Sequence, residues 1–242
     1  MQIQGQGVVI TGASRGLGRA LAEQLVARGA NVALVARDAG ALRDVVATIN
    51  ATHFKSGGRA HAVAGDVGDK NAIHRIAGQA QGLVGEVAIA IHCASTLGPT
   101  PLRLLLDTAC EDLAAVLETN LVGPFRLTKV LAGAMALRGS GVIVHISSDA
   151  AVEPYPRWGA YGVSKAAQDH LSRILAAELA DTGVRILAVD PGEMDTKMHR
   201  DAIPEADPAT LQRPADVAAR IIAMIEDPAR APSGARLAAP QW

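Results

Sequence analysis

Short apolar or β-branched runs alternate with longer stretches of helical apolar spacing along nearly the whole chain, the rhythm of a parallel sheet flanked by helices. The pattern predicts strands over Val8–Thr11, Asn31–Ala36, Ala60–Ala64, Ala88–His92, Gly141–Ser147 and Val184–Asp190. Helices are expected near 17–28, 39–54, 69–82, 111–137, 161–182 and 214–226. Runs such as Val142-Ile143-Val144 and Ile186-Leu187-Ala188-Val189 lack the polar alternation of a half-exposed strand, so both faces of the sheet must be covered. The expected class is therefore α/β, a doubly wound parallel sheet of six to seven strands with helices on both faces.

No Pro/Gly/Ser-rich linker or low-complexity tract divides the chain, so one domain over residues 1–242 is expected. The rhythm breaks only in 193–213, where Pro204 and Pro208 precede Pro214; this reads as a loop at the carboxyl edge of the sheet, a place for substrate contacts. With 49% hydrophobic and 19% charged residues, the chain has ample apolar surface to bury, which excludes disorder throughout. Its 23 basic and 24 acidic residues give a net charge of −1, so nothing in the overall field draws it to nucleic acid. Cys93 and Cys110 make neither a disulfide framework nor a metal-ligand spacing; no metal and a reducing cytoplasm are expected. No run approaches the ~18 consecutive apolar residues of a membrane span, and no basic, then apolar, export segment opens the chain.

Directly after the first predicted strand stands Thr11-Gly12-Ala13-Ser14-Arg15-Gly16-Leu17-Gly18, followed by a helix-forming run. Glycines there permit a tight turn and close approach of backbone to a pyrophosphate, while the first free N–H groups of the helix bind an anion. An ordinary βα turn is the other reading. Arg37 ends the second strand where an NAD site carries an acidic residue, and Arg15 lies inside the glycine turn. Two guanidinium groups converging on a 2′-phosphate favour NADP(H) over NAD(H). Alone, Arg37 reads as a solvated strand-end charge, and Asp38 beside it is within reach of a ribose hydroxyl.

Ser147-Ser148 follow the fifth strand, and Tyr161-Gly162-Val163-Ser164-Lys165 open a long helical pattern. Tyr161 and Lys165, four apart, share one helix face, where an ammonium favours a neighbouring phenolate. A tyrosine titrating at about 10 needs such a cation to exchange a proton near neutrality. By itself this spacing also fits an exposed helix face.

These motifs resemble those of the short-chain dehydrogenase/reductase family: the T-G-x-x-x-G-x-G turn, the Tyr161/Lys165 pair, and the interval of thirteen positions from Ser148 to Tyr161, which selects Ser148 over Ser147. Asn120 in Asn120-Leu121-Val122-Gly123 matches a further family segment, as does Pro191-Gly192 with Thr196. The resemblance implies a Rossmann-type fold with Asn120, Ser148, Tyr161 and Lys165 as catalytic group. It also implies a cofactor site drawing on Gly12, Ser14, Arg15, Gly16, Leu17, Gly18, Arg37, Asp66, Val67, Ala94, Tyr161, Lys165, Pro191, Gly192 and Thr196. Asp66 and Val67 would contact adenine, Asn120 would hold a water linking Lys165 to solvent, and Pro191, Gly192 and Thr196 would face the nicotinamide.

The chain departs from the family pattern at His92-Cys93-Ala94-Ser95, where only Ala94 matches the usual N-N-A-G, and Cys93 reads as a buried core thiol. It departs again after the last helix, where Ser233–Pro240 replaces a glycine-rich strand, so a short seventh strand and a homodimer or homotetramer are both open. Trp242 is left to cap an interface or dangle. The expected activity is NADP(H)-dependent interconversion of a small-molecule carbonyl and its alcohol. Tyr155, Trp158, Met194, Met198 and His199 are candidates for an apolar substrate wall or for simple loop packing. An acyl-carrier reductase would instead use basic residues such as Arg126, Lys129, Arg157 or Arg173, and a cofactor-sensing protein would use the fold without turnover.

Overall fold

The computed structural model of the protein describes residues 1–242. Seven strands, β1 (Gly7–Thr11), β2 (Asn31–Ala36), β3 (Arg59–Ala64), β4 (Val87–His92), β5 (Gly141–Ile146), β6 (Val184–Asp190) and β7 (Arg236–Ala238), form one parallel sheet in the order β3-β2-β1-β4-β5-β6-β7. Eight α-helices accompany them: α1 (Gly16–Ala27), α2 (Ala39–Thr52), α3 (Ile73–Val84), α4 (Cys110–Leu117), α5 (Gly123–Arg138), α6 (Gly159–Glu178), α7 (Lys197–Ala202) and α8 (Pro214–Glu226).

Successive strand residues bury against opposite layers, as the two-residue period of a strand requires. Val8 and Ile10 of β1 join a core with Leu21 and Leu25 of α1 and Ile221 and Ile222 of α8, whereas Val9 joins a second core with Ile76 of α3 and Leu127 and Leu131 of α5. Every residue of β1, β4 and β5 is buried, which explains their uninterrupted apolar runs. Strand order reverses between β1 and β4, and the crevice at that switch point is where such sheets bind ligands.

Two expectations are corrected. The helix read as 111–137 is broken by a π-helical turn, Glu118–Val122, between α4 and α5. Pro124 is the cause: lacking an N–H, it cannot donate to the carbonyl of Asn120 one turn earlier. The expected loop 193–213 contains α7 and a 3₁₀ turn, Pro208–Thr210, and Met194 pairs with Gln212 in an isolated bridge. Helix α7 is held by Thr196, whose hydroxyl accepts from the His199 N–H at 3.2 Å, and by a Lys197–Asp201 pair one turn apart. The altered C-terminus still builds β7, and Trp242 does not dangle: it packs on the first core with the Arg230 guanidinium 4.1 Å from its ring centroid. No helix is long and apolar enough to cross a membrane.

Candidate active site

Gly12 stands at φ +70°, and a Cβ there would lie 2.7 Å from the Ala94 nitrogen; a Cβ on Gly18 would lie 2.5 Å from the Gly12 carbonyl oxygen. Only hydrogen side chains let β1, the turn and α1 close on one another. Ala94 donates its N–H to the Thr11 hydroxyl at 3.2 Å, so the segment after β4 lies beside the glycine turn. Leu17 is anchored in the core, while Ser14, Arg15 and Gly16 remain accessible. Helix α1 starts at Arg15 with no side-chain cap, leaving its first N–H groups free for an anion.

The next turn differs. Asp38 caps α2, its carboxylate accepting from the N–H groups of Gly40 at 2.9 Å and Ala41 at 3.0 Å, and is thereby committed to the helix. Arg37 projects into solvent, 72% exposed, with its nearest carboxylate, Asp66, at 4.0 Å. Parallel pairing of β1 with β2 puts Arg15 and Arg37 at the same carboxyl edge of the sheet. Asp66 also receives the Gly68 N–H at 2.9 Å, and Val67 is buried. A nucleotide phosphate group fits this edge: uncapped N–H donors, a cradle that a Cβ would fill, and exposed guanidinium groups.

Across the switch point, Ser148, Tyr161 and Lys165 are brought together by β5 and α6. Both Tyr161 and Lys165 are buried. The Lys165 ammonium donates to the Ile146 carbonyl at 2.6 Å, lies 3.4 Å from Gln168 Oε1, and stands 5.5 Å from the Tyr161 ring centroid. Burial lowers its pKa to about 8 against the supporting charges of Asp169 and Cys93. Burial pushes the Tyr161 phenol up to about 12; the Ser148 and Ser95 hydroxyls pull it down, and Asp149 and Asp190 push it further up. Each group thus resists its charged form. The Ser148 hydroxyl donates to Asp149 at 2.8 Å, and the same carboxylate accepts from the Tyr155 hydroxyl at 3.1 Å.

Asn120 is fully buried and clamps three segments. Its side chain accepts from the Thr96 N–H at 2.8 Å and donates to the Thr96 carbonyl and the Ser164 hydroxyl, both at 2.9 Å. The carbonyl that Pro124 leaves free accepts from Gln168 Nε2 at 2.8 Å. Asn120 and Lys165 are therefore joined through the Gln168 amide, a bridge absent from the sequence expectation. Pro124 four positions after Asn120 was the available signal.

A cavity of about 270 Å³ opens beside these groups. Ser148 and Tyr161 line it together with Pro191, Gly192 and Thr196 and with Tyr155, Trp158, Met194, Met198 and His199. The structure thus brings all the expected substrate candidates to one cavity. Asp149 and Glu193 are its carboxylates, and no Lys or Arg reaches it. His199 Nε2 lies 3.6 Å from Glu193.

Besides the Gln168 bridge, two further features were not foreseen from the sequence. His92 and His145, register partners on β4 and β5, stack with ring centroids 5.0 Å apart, and His145 feels the charge of Lys165. Thr128 lies 3.0 Å from His92 Nε2 and Ser172 2.8 Å from His145 Nδ1. Burial lowers the His92 pKa to about 4 and that of His145 well below its usual value. Cys93, expected as a buried core thiol, is only partly buried; it packs against the first core, and desolvation pushes its thiol up to about 12. The other missed residue is Arg236 on β7, bonded to Asp169, Asp190 and the Ser148 carbonyl.

Comparison with known proteins agrees with this geometry. The family model of the short chain dehydrogenases matches residues 6–207. A short chain dehydrogenase of Pseudocercospora fijiensis is 36% identical over 202 residues, 81% of this chain, which spans 62% of that relative's length. A Shigella flexneri short chain dehydrogenase solved with NADP superposes with a TM-score of 0.89 at 25% identity, covering 99% of this chain and 98% of that one. A 7α-hydroxysteroid dehydrogenase solved with NADH and 7-oxo glycochenodeoxycholic acid gives 0.85 at 27% identity, covering 98% and 94%. The matched length, the parallel sheet and the glycine turn together establish that the chain belongs to the short chain dehydrogenase family of oxidoreductases.

Proposed function

We propose that the protein is an NADP(H)-dependent oxidoreductase interconverting a carbonyl and its alcohol. The observation that carries this reading is that Ser148 and Tyr161 line one cavity with Pro191, Gly192 and Thr196, while the buried Lys165 ammonium stands behind Tyr161, 5.5 Å from its ring centroid. The nicotinamide, when bound, supplies the hydride. Tyr161 gives the proton to the developing alkoxide, and Ser148 turns its hydroxyl from Asp149 to orient the substrate oxygen. Lys165 supplies the positive charge that makes the phenol acidic enough to act, and holds the nicotinamide ribose. Gly12, Gly16, Gly18 and the first N–H groups of α1 receive the pyrophosphate; Arg15 and Arg37 receive the 2′-phosphate; Asp66, Val67 and Ala94 border the adenine side.

The cavity narrows the substrate. Trp158, Met194 and Met198 favour an apolar body, and Asp149 with Glu193, unrelieved by any lining Lys or Arg, disfavour a carboxylate or phosphate on it. A neutral or cationic ketone or aldehyde fits better than an acidic one. Of the basic residues an acyl-carrier substrate would use, Arg126 is paired with Glu118 and Arg173 stands against His170, Lys129 is exposed, and Arg157 lines a neighbouring pocket that shares Leu97 and Tyr161 with the cavity; none of the four lines the cavity itself.

The test is fluorescence titration of NADPH and NADH against wild type and Arg37→Ala, followed by a panel of neutral, cationic and anionic ketones. NADPH should bind more tightly, and Arg37→Ala should weaken it by about 1.5–3 kcal/mol, the worth of a charge-assisted hydrogen bond, leaving NADH unchanged. Preference for NADH overturns the two-arginine assignment, and binding of neither overturns the oxidoreductase reading.

A further inference from the structure

One guanidinium in the last strand touches three elements of the reacting centre. Arg236 Nε donates to Asp169 Oδ2 on α6 at 2.8 Å; its Nη2 donates to Asp190 Oδ2 at the end of β6 at 3.1 Å and to the Ser148 carbonyl at 2.8 Å. Asp169 also receives the Ser147 hydroxyl at 2.8 Å, and the second oxygen of Asp190 receives the Gly192 N–H at 3.0 Å. The two carboxylates keep only 9% and 12% of their side-chain exposure, and Arg236 itself 31%. Two enclosed carboxylates against one guanidinium leave a negative charge over, and Lys165, one helical turn before Asp169, is the enclosed cation that balances it.

A plain staple for β7 needs one carboxylate. Arg236 instead reaches the carbonyl of the very residue whose hydroxyl faces the cavity, and the two carboxylates it divides its charge between face different members of the proton-handling pair. Asp169 faces Lys165, together with Cys93, His145 and the Gln168 amide. Asp190 faces Tyr161, together with Asp149, Ser148 and Ser95.

We propose that Arg236 is a positioning residue of the reacting centre: it fixes the strand end that carries Ser148 and, through Asp169 and Asp190, sets the charge that Lys165 and Tyr161 experience. Its consequence for turnover rests on the oxidoreductase reading, whereas its electrostatic consequence does not. Without the guanidinium, both carboxylates act on their neighbours unopposed. Lys165 then holds its proton to higher pH, and so does Tyr161.

The chain has five lysines, Lys55, Lys70, Lys129, Lys165 and Lys197, so carbon-13 lysine resonances of the full-length protein can be followed individually against pH. In wild type Lys165 should titrate near about 8. Arg236→Met should move that midpoint to higher pH, Arg236→Lys should restore it substantially, and Asp169→Asn should move it lower. In the carbonyl assay Arg236→Met should lower kcat about ten- to a hundredfold, the scale for a displaced reacting group, with KM for NADPH changing much less, and its pH profile should shift upward. A folded Arg236→Met with the wild-type Lys165 midpoint and kcat overturns the proposal. If Arg236→Met does not fold, an unmoved midpoint in Asp169→Asn overturns it equally. Should wild type reduce no carbonyl while the midpoints move as stated, the oxidoreductase reading fails and the coupling stands.

Discussion

The β1–α1 turn and the β5–α6 region face each other across one crevice but are made of different material. The first presents backbone: Gly12 and Gly18 bring main chain together where a Cβ would clash, and α1 begins with uncapped N–H groups. The second presents buried side chains, Tyr161, Lys165, Asp169 and the His92–His145 stack, each held off its charged form or paired within the core. The backbone site fails when a side-chain atom is added where main chain closes on main chain, whereas the side-chain site fails when one proton or charge is removed. The β2–α2 turn sharpens the point, since there Asp38 occupies the same kind of helix start that α1 leaves open.

The largest separation of the two sides should come from Tyr161→Phe. Carbonyl reduction should fall by about 10²–10⁴-fold, the range for a lost general acid, while NADPH binds as in wild type; steady-state turnover and fluorescence titration measure the two. Unchanged turnover removes Tyr161 from the reaction.

Next comes acid. His92 is held at about 4 in the folded protein against 6.5 for the free side chain. The unfolded chain therefore binds this proton more tightly, so the stabilisation is full above pH 6.5 and is lost as pH falls towards 4. The loss is about 3 kcal/mol, read by denaturant melts across that window. His145 and the β3 residue His61 are lowered too and share this acid slope, so His92→Gln should reduce it without removing it.

Gly18→Ala reverses the first pattern. The added methyl meets the Gly12 carbonyl and should cost about 1–3 kcal/mol of stability as overpacking, with NADPH affinity falling while the titration of Lys165 is unmoved. The smallest effect is Asp38→Ala, about 1 kcal/mol for a lost helix cap, seen in thermal melts. If NADPH binding weakens in that variant as much as in Arg37→Ala, then Asp38 contacts the nucleotide after all.

Much of this was readable in the chain because it depends on neighbours in sequence. Strand positions followed from apolar runs, and the glycine turn and the Tyr161–Lys165 pair from fixed intervals. The 193–213 stretch misled because a six-residue helix carries too short an apolar pattern to register, although Thr196 as cap and Lys197–Asp201 as a one-turn pair were its local signs. The break at Asn120 was signalled only by Pro124, and the meaning of the freed carbonyl depended on Gln168, 48 positions away.

The sequence by itself determined the parallel α/β architecture and the local chemistry of its motifs, because periodicity and spacing act over one or two turns of chain. The tertiary structure alone decided which charges meet. Arg236 reaches Ser148 across 88 positions, and Asp169, Asp190 and Lys165 share one enclosed charge balance because β5, β6, β7 and α6 converge there. Electrostatic interaction depends on distance through space and on burial, and neither is written in the order of the residues.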